Sequence, residues 1–229
     1  MTNTVAVIAA HPDDEVLGCG GTIARMVKEG RSVHILILAD GESSRDGIED
    51  CKINSSRVAS RNAAAENACK ILGCTSVTLL CLPDNRLDHI DLLDVVKLVE
   101  DFILKYKPST ILTHHSGDVN IDHRVIHEAV VVASRPQPGF FVKELLFFEV
   151  PSSTEWRPLG SGEMFNPNWF YDISDTLEIK LNSLQAYQEE LREFPHPRSI
   201  KAIEALARWR GACAGFEAAE AFILGRKLV

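Results

Sequence analysis

Val5-Ala-Val-Ile-Ala-Ala10 passes directly into His11-Pro12-Asp13-Asp14-Glu15, and Gly18-Cys-Gly20-Gly21 follows. An apolar run without polar alternation reads as a strand buried on both faces of a parallel sheet. Such a strand seldom delivers one imidazole and three consecutive acids to a single point without a cationic partner. A solvated acidic turn is the plain alternative.

Beyond this stretch, apolar runs and helical segments alternate. Strands are expected at Thr4–Ala10, Val33–Leu38, Val77–Leu82, Thr110–Thr113, Leu145–Val150 and Phe170–Ile173. Helices are expected at Gly20–Glu29, Ser55–Leu72, Leu92–Lys105, after His123 through Val132, and in a helical tail over Asp175–Leu191 and Ile200–Leu224. Asp40–Arg45 reads as a polar loop. This order implies βαβ units in an α/β fold: a doubly wound, mostly parallel sheet with helices on both faces, one domain over residues 1–229. If the strand order is 3-2-1-4-5, strands one and four are neighbours. His11 and the stretch His114-His-Ser-Gly-Asp-Val-Asn-Ile-Asp-His123 then leave adjacent strands at the switch point, where such sheets bind ligands.

Bulk properties narrow the class. The 229 residues are 45% apolar and 24% charged, as in an ordinary globular protein. A net charge of −8 without a basic stripe argues against nucleic acid as a partner. No run nears the ~20 apolar residues of a membrane span, and no basic region precedes the first apolar stretch, so a cytoplasmic protein without membrane insertion is expected. Cysteines 19, 51, 69, 74, 81 and 213 form no CxxC pair and read as reduced thiols; Cys69 and Cys74 lack the second pair of a zinc knuckle.

A loop pair rich in His and Asp offers nitrogen and oxygen ligands for a divalent metal. His11, Asp14 and His123 make a three-ligand set of the kind catalytic Zn²⁺ takes, one ion per chain, with a position left for water. Pro12 biases His11 to extended backbone, and the following acids precede a helix whose dipole partly offsets their charge. Asp13 is left off the metal, as a general base for the bound water.

These residues resemble the LmbE-like (PIG-L) zinc-dependent N-acetyl-sugar deacetylases. The resemblance rests on His11-Pro-Asp-Asp-Glu15 with Leu-Gly-x-Gly-Gly, on Leu82-Pro-Asp-Asn-Arg-Leu87, and on Asp118-Val-Asn-Ile-Asp-His123-Arg124. The Lys180…Tyr187 helix and Arg210-Gly211…Ala219-Glu220-Ala-Phe222 extend it over nearly the whole chain. It implies a Rossmann-like fold, metal ligation by His11, Asp14 and His123, and Asp13 as base. The implied reaction removes acetyl from an N-acetylglucosamine-type sugar, free, glycosidic or nucleotide-linked. The family often assembles, so a homo-oligomer is a further expectation. Where the family reads His-x-Asp-His, this chain has Asn120-Ile-Asp-His123. Asn120 can donate to a developing oxyanion but carries no proton. Either Asp13 is both base and acid, or His114 or His115 supplies the proton. Asp118, Asp122 and Arg124 are candidates to orient the ligands.

Rival readings stand beside this one. The same His/Asp/His set suits a non-haem Fe(II) enzyme, though that chemistry is familiar on a jelly roll. A non-catalytic carbohydrate- or nucleotide-binding module on the same fold would need no metal. Gly18, Gly20 and Gly21 with Asp40 suggest a dinucleotide loop, but the spacing is not G-x-G-x-x-G and the acids would face the pyrophosphate. His127 is expected to be a solvated helix residue rather than a ligand, and His89 and His196 surface residues. Trp156, Phe165 and Trp169 can stack on a sugar, with core packing the commoner fate. Arg57 and Arg61 read as solvated charge, Asp84 as a weakly signalled substrate contact, and Glu220 as a helix residue paired with a base.

Overall fold

The structure, a computed structural model, describes residues 3–44, 55–139 and 142–229. Cys51 and Arg45, included in the expectations above, lie outside the described residues. Thr4–Ala9 forms β1, with Val5 through Ala9 fully buried. Its residues alternate between two cores: Val5, Val7 and Ala9 face one, Ala6 and Ile8 the other. A strand with both faces in apolar cores has no place for polar alternation, which is why the sequence shows none.

The remaining elements are α1 (Asp14–Lys28), β2 (Ser32–Ala39), α2 (Ser55–Leu72), β3 (Ser76–Leu82), α3 (Leu92–Tyr106), β4 (Thr110–His114), α4 (Ile121–Ala133) and β5 (Glu144–Phe148). Then come β6 (Trp169–Asp172), α5 (Leu177–Leu184), α6 (Ile200–Ala214) and β7 (Ala219–Lys227). The sheet order is β3-β2-β1-β4-β5-β7-β6. The first five strands run parallel, whereas β7 is antiparallel to both β5 and β6. β1 and β4 are therefore neighbours, and the switch point falls where the doubly wound reading puts it. No helix of the described residues is long and apolar enough to cross a membrane.

Two element expectations are corrected. The helix expected over Ile200–Leu224 stops at Ala214, where Gly215 takes φ 80°, and the chain returns as β7. Ala219, Ala221 and Phe222 are buried in that strand; so short an apolar run has no period that separates strand from helix. The chain thus ends on a strand and not a helical tail. The first helix starts at Asp14, six residues before the expected Gly20, and is broken at Cys19 (φ −149°). At that break the amides of Gly21 and Thr22 donate to Glu220, and Lys180 pairs with the same carboxylate at 2.5 Å. Glu220 is a strand residue, not a helix residue, but it does pair with a base. A Cβ on Gly18 would come within 2.3 Å of Phe148, so the glycine lets α1 lie against β5.

Candidate metal centre

The elements deliver the site residues to the carboxyl edge of the sheet. His11 follows β1. Asp13 turns the chain at φ 120°, a strained value for a non-glycine residue, and Asp14 starts α1. Across the β1–β4 boundary, Asn120 caps α4: its Oδ1 accepts from the amide of Asp122 at 2.8 Å, which leaves Asp122 and His123 in the first helical turn.

Three donors converge. Asp14 Oδ2 lies 3.1 Å from His11 Nδ1 and 3.2 Å from His123 Nε2. Donors bound at 2.0–2.1 Å to a tetrahedral ion stand about 3.3 Å apart. Asp14 Oδ1 and His123 Nε2 are buried without a hydrogen-bond partner among the described residues, an arrangement costly for the protein alone. The donor set, spacing and orphaned atoms fit a zinc-type cation.

Each imidazole has a carboxylate behind it. His11 Nε2 stands 3.1 Å from Asp122 Oδ2 and 3.0 Å from Asp84 Oδ1; His123 Nδ1 stands 3.2 Å from Asp118 Oδ2. Asp122 is fixed by the amides of Asn85 and Leu87 at 2.7 and 3.0 Å, and Asp118 by the hydroxyls of Ser153 and Thr154. Such partners set the tautomer and direction of a ligand imidazole. Arg124 contributes differently, donating to the carbonyls of Asp118 and Val119.

The electrostatics follow from burial and charge. Burial works against the charged form of His123, but Asp14 and Asp118 overcome it and hold the imidazole at about 9. Burial likewise opposes the Asp14 charge, yet His123 and His11 keep that carboxyl well below its ordinary range. Desolvation lifts Asp13 to about 6 against the pull of Arg198. Burial lifts Glu15 to about 8, although Tyr187 donates to it.

Asp13 opens on a polar cavity of about 170 Å³ lined also by His11, Ser44, Asp84, Asn85, Asn120 and Arg198. Arg198 donates to Asp13 Oδ2 at 2.9 Å. Asn120 Nδ2 donates to Asn85 Oδ1 at 3.1 Å. A larger groove of about 340 Å³ lies between α2 and residues 185–190, contains no imidazole, and meets this cavity at Arg61 and Glu190.

Several expectations change. Arg61 is not solvated charge: it is buried, pairs with Glu42 at 2.7 Å and Glu190 at 2.8 Å, and donates to the carbonyls of Pro12 and Gly41. His127 is buried, not solvated; its Nδ1 donates to the His114 carbonyl at 2.9 Å and its ring packs on Phe147. His114 and His115 both lie outside the cavity lining. His114 Nε2 accepts from the Ala10 amide at 2.8 Å, and burial holds its ring neutral; His115 Nε2 lies 3.0 Å from the Glu163 carbonyl. Asp84, weakly signalled, reaches the centre. Glu190 and Arg198 had no local signal at all; only their partners, far away in sequence, mark them.

The chain is 34% identical over 190 residues to the uncharacterized deacetylase YaiS of Escherichia coli (strain K12), covering 80% of this chain and 90% of that protein. It is 27% identical over 222 residues to the diacetylchitobiose deacetylase of Thermococcus kodakarensis, covering 94% and 80%. The solved structure of the conserved protein TT1542 from Thermus thermophilus superposes with a TM-score of 0.77 at 26% identity, covering 100% of this chain and 97% of that one. Residues 6–134, more than half of the chain and including both His/Asp blocks, match the PIG-L model described as GlcNAc-PI de-N-acetylase, and the chain belongs to that family.

Proposed function

We propose that this protein is a metal-dependent hydrolase that removes the N-acetyl group from an N-acetylglucosamine-type sugar and releases acetate. The observation that carries this reading is the convergence of His11 Nδ1, Asp14 Oδ2 and His123 Nε2 beside a carboxylate that is not one of the three donors, Asp13. The family and its deacetylase relatives support the substrate class.

His11, Asp14 and His123 would hold one Zn²⁺ or a similar divalent ion. Such an ion lowers the pKa of a bound water and polarises the acetyl carbonyl. Asp13 accepts the proton of the attacking water. Its Oδ2 is held by Arg198, which leaves Oδ1 for the proton. A carboxyl raised to about 6 is basic enough to take that proton near neutrality and acidic enough to return it to the sugar nitrogen. His114 and His115 do not line the cavity, so Asp13 serves as both base and acid. Asn120 Nδ2 has a second N–H beyond the one given to Asn85, and that donor steadies the developing oxyanion. The products are the free amine and acetate.

Acetate release from a panel of N-acetylated sugars and sugar nucleotides, with and without chelator, tests the proposal. Chelator-sensitive release from at least one amino sugar is expected. Metal-loaded protein that releases acetate from none of them would overturn it.

A further inference from the structure

Three groups of the centre meet on Asn85. Its backbone takes φ 53°, in the left-handed region that asparagine enters more readily than most side chains. From that turn its amide N–H donates to Asp122 Oδ2 at 2.7 Å, the carboxylate oxygen behind His11. The side chain stands in the wall of the polar cavity with Asp84 and Asn120. Its Nδ2 donates to Asp84 Oδ1 at 3.0 Å, and its Oδ1 accepts from Asn120 Nδ2 at 3.1 Å.

The chemistry of the partners gives this chain of amides one direction only. An ionised carboxylate accepts and never donates, so the NH2 group of Asn85 must face Asp84. The Asn85 oxygen then points to Asn120 and requires a donor there. At the far end the Asp122 amide, which only donates, claims Asn120 Oδ1 at 2.8 Å. Both ends demand the same orientation. Flipping either side chain would set like groups face to face at both of its contacts. The helix cap alone would leave the Asn120 amide plane free to swing about a single bond. A second bond, to Asn85, fixes the plane and with it the direction of the remaining N–H.

We propose that Asn85 is a positioning residue for the reaction: it holds the Asn120 amide so that its free N–H meets the developing oxyanion. A donor oriented before the substrate arrives needs no reorganisation as charge develops. This inference rests on the deacetylase reading above and on Asn120 as the donor in it.

Asn85→Gly is the variant that tests it. Glycine keeps the left-handed backbone and the N–H to Asp122, and removes only the side chain. Asp84 keeps the Ser44 hydroxyl on its other oxygen. Acetate release from the panel above, N-acetylglucosamine first, gives the rates for the metal-loaded proteins. The side-chain amide resonances of ¹⁵N-labelled protein, with Asn120 assigned through Asn120→Ala, report the orientation. For Asn85→Gly we expect unchanged metal content, KM within about twofold and kcat down about tenfold, a smaller loss than removing the donor outright. The double variant Asn85→Gly/Asn120→Ala should be no slower than Asn120→Ala, because Asn85 acts through Asn120. The Asn120 amide proton that faces Asn85 should move upfield in Asn85→Gly. Wild-type kcat in Asn85→Gly, additive losses in the double variant, or loss of metal would each overturn the role while leaving the deacetylase reading in place. An Asn120 resonance that Asn85→Gly leaves unmoved would overturn it whatever the rates. A wild-type protein that releases acetate from no sugar of the panel, yet shows the Asn120 shift, would keep Asn85 as the residue that orients Asn120 and reject the deacetylase reading.

Discussion

The amide of Ala10 donates to His114 Nε2 at 2.8 Å, and the His114 ring stacks on His123 at 3.9 Å. The end of β1 is thereby bolted to the end of β4, one residue before His11. An imidazole used as an acceptor in the interior is a brace, not a proton donor. His114→Ala should lose roughly 2–4 kcal/mol of stability, from an orphaned buried amide and a cavity. Urea denaturation measures this. A variant of native stability whose pH–rate profile had lost its basic limb would restore His114 as the general acid.

Adjacent acids should separate cleanly. Asp13→Asn keeps the metal and loses about 10²–10⁴ in turnover, because an amide accepts no proton from water. Asp14→Asn removes the oxygen shared by both imidazoles and loses metal first. Metal content of the purified variants, measured alongside acetate release, distinguishes the two; the opposite pattern would exchange their roles.

Asn120 does two jobs, capping α4 through Oδ1 and presenting Nδ2 to the cavity. Asn120→Ala should cost about 1 kcal/mol in stability and roughly a hundredfold in kcat with metal retained. Asn120→Asp keeps the cap and removes the donor, so it should match Ala in rate while keeping wild-type stability. Wild-type turnover in Asn120→Asp would end the oxyanion role.

The metal-free protein should become less stable as pH rises. His123 is held at about 9 in the fold against 6.5 for a free imidazole. Its contribution is fully present below about 6.5 and is lost as pH passes through 9, amounting to up to about 3 kcal/mol. Glu15, lifted to about 8 from 4.5, acts with the same sign below pH 8, since the fold favours its protonated form. Metal binding must displace the His123 proton, so affinity rises over the same window. Thermal melts of chelated protein between pH 6.5 and 9 test this; a midpoint that climbed with pH would contradict it.

Much of this protein is written locally. Val5–Ala10 declares a strand buried on both faces because an unalternating apolar run has no other stable place in an α/β chain. The His11–Glu15 and Asp118–His123 blocks announce a cation because so many ionisable groups at strand ends need one. Alternation of strand and helix implies a doubly wound sheet; in the order the sheet takes, β1 and β4 are neighbours, and that adjacency brings the donor set together. The rest came from packing between distant segments. The last apolar run became β7 because an open edge of β5 was there to pair with, information absent from its own period. Arg61, Glu190 and Arg198 encircle Asp13 from positions up to 185 residues away, and charge pairing across such distances leaves no mark on local sequence. His114 became a brace and Trp156 an exposed ring for the same reason: a side chain's neighbours, and so its chemistry, are set by contacts between segments that the chain order does not reveal.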